Sequence, residues 1–135
     1  MAKLYPYLHS EDARAQAEFY TEALGGEILS VMTHGEMPGA KDDSLKDKVL
    51  HLALVAAGVT IFLSDSFRPV HPGTNLNLSL EFADGEEARQ AFAKLAEGGT
   101  IGHALEPAFW GTLFGQVTDK YGILWMITTE ASQAG

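Results

Sequence analysis

Residues 15–28, AQAEFYTEALGGEI, return as residues 88–101, ARQAFAKLAEGGTI, and reading these two stretches together decides the fold. A shift of 73 positions lays Ala15 on Ala88, Phe19 on Phe92, Ala23 on Ala96, Gly25-Gly26 on Gly98-Gly99 and Ile28 on Ile101. The matches fall at helical spacing and end in paired glycines, so each stretch predicts an amphipathic helix of about four turns. Phe19 and Phe92 are expected in the core. The first helix is expected to open at Ser10, with Glu11 and Asp12 in its positive first turn. The second is expected to open at Asp84, with Glu87 three residues on as a capping box. Gly25-Gly26 and Gly98-Gly99 stop them where a left-handed residue is needed. A unit too small to bury its own apolar face stacks on a copy of itself, and the repeat points to two such units.

Outward from each helix the pattern changes to period two, the signature of a strand with one apolar and one polar face. Asn75 to Phe82 alternates without a fault, and Leu4 to His9 does so more weakly. Behind the helices come Glu27 to Thr33, Val49 to Ala56 and Val59 to Ser64, then Thr100 to Leu105, Leu113 to Thr118 and Ile123 to Thr128. Each half therefore reads strand, helix, strand, strand, strand. The closing hairpins turn at Ala57-Gly58 and at Asp119-Lys120-Tyr121-Gly122; matching their glycines takes a shift of 64, so the first half carries nine extra residues. They belong to His34 to Lys48, a polar stretch read as a mobile loop over one end of the sheet. The boundaries are about 3–66 for module 1, about 67–73 for the linker and about 74–130 for module 2, all within one 135-residue domain.

Composition removes whole classes of function. The chain has no cysteine, which excludes disulfides, thiolate metal sites and cysteine nucleophiles. Nine Lys and Arg against eighteen Asp and Glu give a net charge of −9, which repels nucleic-acid phosphates and anionic membrane surfaces. No signal-like apolar core precedes the first strand, and the longest apolar stretch, Val49 to Leu63, is interrupted by His51, Gly58 and Thr60. A soluble cytoplasmic protein is expected, without nucleic-acid or membrane partners.

The tandem unit resembles the glyoxalase/bleomycin-resistance, or vicinal oxygen chelate, superfamily. The resemblance rests on Pro6-Tyr7-Leu8, Phe19-Tyr20, Leu24-Gly25-Gly26, Val49-Leu50-His51, Ser64-Asp65 and Leu95-Ala96-Glu97-Gly98-Gly99. Its most specific motifs are Phe109-Trp110-Gly111 and Asp119 to Met126, which are similar to the PhnB-like branch. It implies an α+β fold: tandem βαβββ modules forming a curved eight-stranded mixed sheet around a concave cavity, with helices on the outer face and a homodimer as the working form. That branch sits beside proteins labelled 3-demethylubiquinone methyltransferases. No glycine-rich nucleotide loop follows a first strand here, so S-adenosylmethionine is not expected.

In metal-using members the ligands stand on the first and last strands of each module. Carried onto this chain, those positions are Tyr5, Phe62, Asn77 and Met126, with a one-residue slip turning Asn77 into Leu78. A phenol, a benzene ring, an amide and a thioether make a poor divalent-cation site, so no metal and no cofactor is expected. Parity turns Tyr5, Tyr7 and His9, Thr60, Phe62 and Ser64, and Asn75, Asn77, Ser79 and Glu81 toward the cavity if the aliphatic faces pack on the helices.

His51 lies opposite Leu50, Leu52 and Leu54, as a substrate partner or general base, or as a half-buried residue satisfied by a hydroxyl. Trp110 reads as a flat ligand wall or as core or dimer packing, Trp125 as structural, and Glu81, His9, His34, His71 and His103 as solvated. The ligand-binding residues are therefore expected to be Tyr5, Tyr7, His51, Phe62, Ser64, Asn77, Trp110 and Met126, around a small, partly apolar organic molecule. No catalytic residue is assigned. A relocated metal on His51, Glu81 or His9, serving a lyase, isomerase or dioxygenase, is the second reading, and a structural or partner-binding dimer the third.

Overall fold

The computed structural model describes residues 1–39 and 43–131. The chain divides between His71 and Pro72 into two units. In the first, β1 (Tyr7–Ser10), α1 (Ala13–Leu24), β2 (Gly26–Thr33), β3 (Val49–Ala56) and β4 (Val59–Asp65) form a four-stranded sheet in the order β1-β4-β3-β2. In the second, β5 (Asn77–Phe82), α2 (Gly85–Ala96), β6 (Thr100–Pro107), β7 (Leu113–Thr118) and β8 (Leu124–Thr129) repeat the same order, β5-β8-β7-β6. The last three strands of each unit make an antiparallel meander, and the first joins the outer side of the last in parallel. The α+β fold and the eight strands stand as expected. Hydrogen bonding divides those strands into two mixed four-stranded sheets, one per unit, where the resemblance implied one eight-stranded sheet. Among the described residues no helix is long and apolar enough to cross a membrane.

Within each unit the helix covers one face of the sheet. Leu52, Leu54, Ile61 and Leu63 lie under α1, which meets them with Ala13, Ala17 and Tyr20; all of these are buried. Alanines on that face let the helix sit close to the sheet, and the one polar side chain buried there, Gln16, donates to the Tyr20 hydroxyl at 2.8 Å. In the second unit Ala88, Ala91, Phe92 and Leu95 pack with Val117, Trp125 and Ile127. The buried set corrects one expectation. Tyr20 fills the core position in α1, and Phe19 is half-buried beside it with ring centroids 5.7 Å apart. Gln16, Tyr20 and Ala23 answer to Ala88, Phe92 and Leu95 at a shift of 72, because α1 runs straight into Gly25 whereas α2 inserts Glu97 before Gly98.

The helix starts also differ in detail. Asp12 caps α1 by accepting from the Ala15 amide, while Ser10 turns its hydroxyl to the Asp12 amide, because β1 continues through Ser10. Asp84 caps α2 as expected but accepts from the amide of Glu86, the second helical residue, and not from that of Glu87, the third, as a capping box requires. The expected loop is tied at its base, where the His34 and Gly35 amides donate to the Lys48 and Lys46 carbonyls. Short 3₁₀ turns cover His34–Glu36 and Asp43–Leu45; Lys41 and Asp42 lie outside the described residues.

Asp65 joins three elements. One carboxylate oxygen accepts the Ala13 amide at 2.8 Å and the other the Val49 amide at 2.7 Å, so the end of β4 holds the starts of α1 and β3. Removing the carboxylate in Asp65→Ala is expected to lower the stability of the first unit by about 2 kcal/mol, since hydrogen bonds to a charged group are the stronger kind. Amide hydrogen exchange at Ala13 and Val49 should quicken together; unchanged exchange at both would refute the role.

Candidate functional site

The face of the first sheet turned away from α1 carries a ring cluster. Parallel pairing sets Tyr7 beside Phe62 and His9 beside Ser64, and antiparallel pairing sets Ala53 on the other side of Phe62. Neighbours in register share a face, so strands of period two bring these side chains together. The Phe62 ring centroid lies 4.9 Å from that of Tyr5, 5.0 Å from His51 and 6.1 Å from Tyr7. Tyr5 and Tyr7 remain 42% and 45% exposed, whereas Phe62 and His51 are half-buried.

Two polar contacts order the rings. The Tyr7 hydroxyl lies 3.3 Å from His51 Nδ1, and His9 Nδ1 lies 3.2 Å from the Ser64 hydroxyl. The His51 imidazole thus has the hydroxyl partner that a half-buried histidine calls for, and stands on the open face as its parity required. Tyr5, Tyr7, His51, Phe62 and Ser64 come together here. His9, which solvent exposure alone set aside, belongs with them: it is exposed, yet its ring centroid is 5.5 Å from that of Tyr7. The alternation Tyr5, Tyr7, His9 was the signal for it. The surface combines flat π faces with neutral donors and acceptors, which suits apolar contact and oriented hydrogen bonding.

The second unit has its own open face. Asn77 stands beside Leu124 and Ser79 beside Met126, and Met126 pairs in turn with Gln116. This register settles the one-residue question: Asn77 and Met126 share the open face, while Leu78 stands beside buried Trp125. Trp110 is 53% exposed, which removes core packing as its role. Its ring packs against Phe109 at 4.9 Å and Phe114 at 5.8 Å, and His103 meets Phe114 at 5.4 Å. Phe114 and Gln116 were not among the expected residues, although Gly115 and Val117 alternate with them toward the helix. Glu81 is exposed, as expected.

The residues at the four positions that the resemblance marks for a metal do not fit a divalent cation. In the first unit the Tyr5 and Phe62 rings pack on each other, and Phe62 has no donor atom. In the second, Asn77 and Met126 supply an amide and a thioether, neither of which compensates a hard or borderline cation for lost water. Among the described residues no group of three or more His, Asp or Glu is placed to hold a metal ion.

The family model described as Glyoxalase/Bleomycin resistance protein/Dioxygenase superfamily matches residues 8–127. The chain belongs to that superfamily. This glyoxalase-superfamily chain is 32% identical to protein YjdN of Escherichia coli K12, over 96% of its own length and 97% of that protein's. Among solved structures it is similar to protein PA1353 of Pseudomonas aeruginosa, with a TM-score of 0.82, 30% identity, and 98% of this chain and 100% of that one covered. It is also similar to a PhnB protein of Bacillus cereus, with a TM-score of 0.71, 28% identity, and 95% and 99% covered. The PhnB-like resemblance therefore extends along nearly the whole glyoxalase-superfamily chain.

Proposed function

We propose that this PhnB-like protein binds a small, partly apolar organic molecule on the ring-lined face of its first sheet, with no resident metal and no turnover. The carrying observation is the Phe62 cluster, in which three rings surround one half-buried phenyl and the Tyr7 hydroxyl and His51 imidazole lie at its edge. Such a surface gives a planar ligand apolar contact, and the polar edge orients it. Tyr5, Tyr7, His51, Phe62 and Ser64 are the ligand contacts of this face. On the second unit, read by itself, Asn77, Trp110 and Met126 are assigned as ligand contacts on the same grounds: a neutral amide, an exposed indole and a thioether. The mismatch of the metal positions supports binding over metal-assisted chemistry. A cytoplasmic homodimer is part of the same proposal and rests on the family resemblance.

A screen of small aromatic molecules by thermal denaturation is expected to find ligands that stabilise the fold saturably, because binding to the native state alone raises its melting temperature. Phe62→Ala should weaken such a ligand about tenfold, or about 1.4 kcal/mol. Equal affinity for wild type and Phe62→Ala would place the ligand elsewhere. Plasma mass spectrometry of protein purified without chelator is expected to find well under one metal per chain. Near-stoichiometric nickel, zinc, iron or manganese would overturn the metal-free reading.

A further inference from the structure

We propose that the cleft at the end of the first sheet is an oxyanion subsite, in which Arg68, His9 and His34 hold a carboxylate or phosphate group on the bound organic molecule. This deepens the ligand-binding reading and rests on it, because His9 is shared between the cleft and the ring cluster.

The cleft has a volume of about 340 Å³ and is lined by His9, His34, Ser64, Asp65, Ser66 and Arg68, among others. In a chain with twice as many acids as bases, this lining gathers one guanidinium and two imidazoles beside a single acid, Asp65. Both Asp65 oxygens accept backbone amides, from Ala13 and Val49, so its carboxylate is turned to the backbone and makes no ion pair with Arg68. Among the described residues no ion pair involves Arg68, so its planar fork of donors is available for a two-oxygen contact with an anion.

The loops that carry these groups are built rather than trailing. The Ser66 hydroxyl donates to the Arg68 carbonyl at 2.7 Å and accepts the Arg68 amide at 3.2 Å, closing a tight turn over residues 66–68. The His34 ring packs against Phe67 with centroids 5.2 Å apart, and its amide is tied to the Lys48 carbonyl at 2.9 Å. His9 contacts Ser64 through Nδ1, which leaves Nε2 for a ligand. A molecule with an aromatic body on Phe62 and an oxyanion beside Arg68 would satisfy both surfaces at once.

The test is a titration of isotope-labelled full-length protein, followed by its backbone amide resonances, with benzoate, phenyl phosphate, the neutral benzamide and inorganic phosphate. Benzoate or phenyl phosphate is expected to bind at least about fivefold tighter than benzamide and to shift the His9, His34 and Arg68 amides, as inorganic phosphate alone should. The stronger of the two organic anions identifies the group. In Arg68→Gln, an exposed loop change that leaves the core intact, the preference for anion over amide should fall close to one; His34→Gln should reduce it in part. Equal binding of benzoate, phenyl phosphate and benzamide by wild type would overturn the subsite, as would an unchanged preference in Arg68→Gln. If the anions shift the His34 and Arg68 amides while no probe moves Tyr5, Tyr7 or Phe62, the subsite stands and the aromatic reading fails.

Discussion

Replacing Gly99 by alanine is expected to destabilise the second unit by roughly 3 kcal/mol or more, and Gly26→Ala to do the same to the first, because added volume here meets backbone and not a side chain that can turn away. A Cβ at Gly99 would run into the Thr118 carbonyl oxygen, and one at Gly26 into that of Val55. Both oxygens belong to strands of the sheet, so relief means parting β2 from β3 or β6 from β7. The preceding glycine of the first pair does a different job. Gly25 sits at φ 78° with open space around it, so Gly25→Ala carries only the cost of a left-handed alanine, about 1–2 kcal/mol. Hydrogen exchange of each unit's strand amides, read in the four single variants at Gly25, Gly26, Gly98 and Gly99, should rank the second glycine of each pair as the more damaging. The reverse ranking would mean that these pairs act only as helix stops.

Asp119→Ala is expected to lower the stability of the second unit by about 3 kcal/mol, since it leaves several buried donors without an acceptor. Asp119 is 3% exposed; one of its oxygens accepts the Tyr121 amide at 2.8 Å and the Ile123 amide at 3.1 Å, and the other accepts the Trp125 indole N–H at 2.8 Å. The carboxylate therefore ties the β7–β8 turn to the largest buried side chain of that unit. Asp119→Asn keeps one acceptor oxygen, and its NH2 group faces either the indole N–H or the two backbone amides, so it should lose less than Asp119→Ala but remain below wild type. Chemical denaturation followed by tryptophan fluorescence reads this unit, because Trp110 and Trp125 both lie in it. A loss under 1 kcal/mol in Asp119→Ala would show that water replaces the carboxylate.

These two variants mark where sequence reading stops. The paired glycines were legible as helix stops because a helix end is a local event. That the second of each pair lies against a strand carbonyl follows from a partner about 19 residues away in module 2 and about 29 away in module 1, which no local pattern encodes. Asp119 was legible as a turn residue, while its bond to Trp125 depends on the side chain folding inward beneath the turn. Phe19 and Tyr20 are adjacent and both aromatic, so the repeat shift alone could not say which enters the core; the inserted Glu97 in the second copy moved the apparent match by one.

The ring cluster shows the same division. Parity placed Tyr5, Tyr7, His51, Phe62 and Ser64 on one face, since side-chain alternation is a property of each strand by itself. Which rings touch depends on hydrogen-bond register between strands: Tyr7 meets His51 across 44 positions and His9 meets Ser64 across 55. The Arg68 cleft lies further from sequence still, because it gathers residues from a strand end, a turn and the chain's exit from β4. From sequence alone came the tandem architecture and the face each strand residue takes, which follow from local periodicity, and the poor donor chemistry of the residues at the positions that the family resemblance marks for a metal. The tertiary structure alone decided which of those side chains are neighbours, because contact across a sheet is set by pairing between segments far apart along the chain.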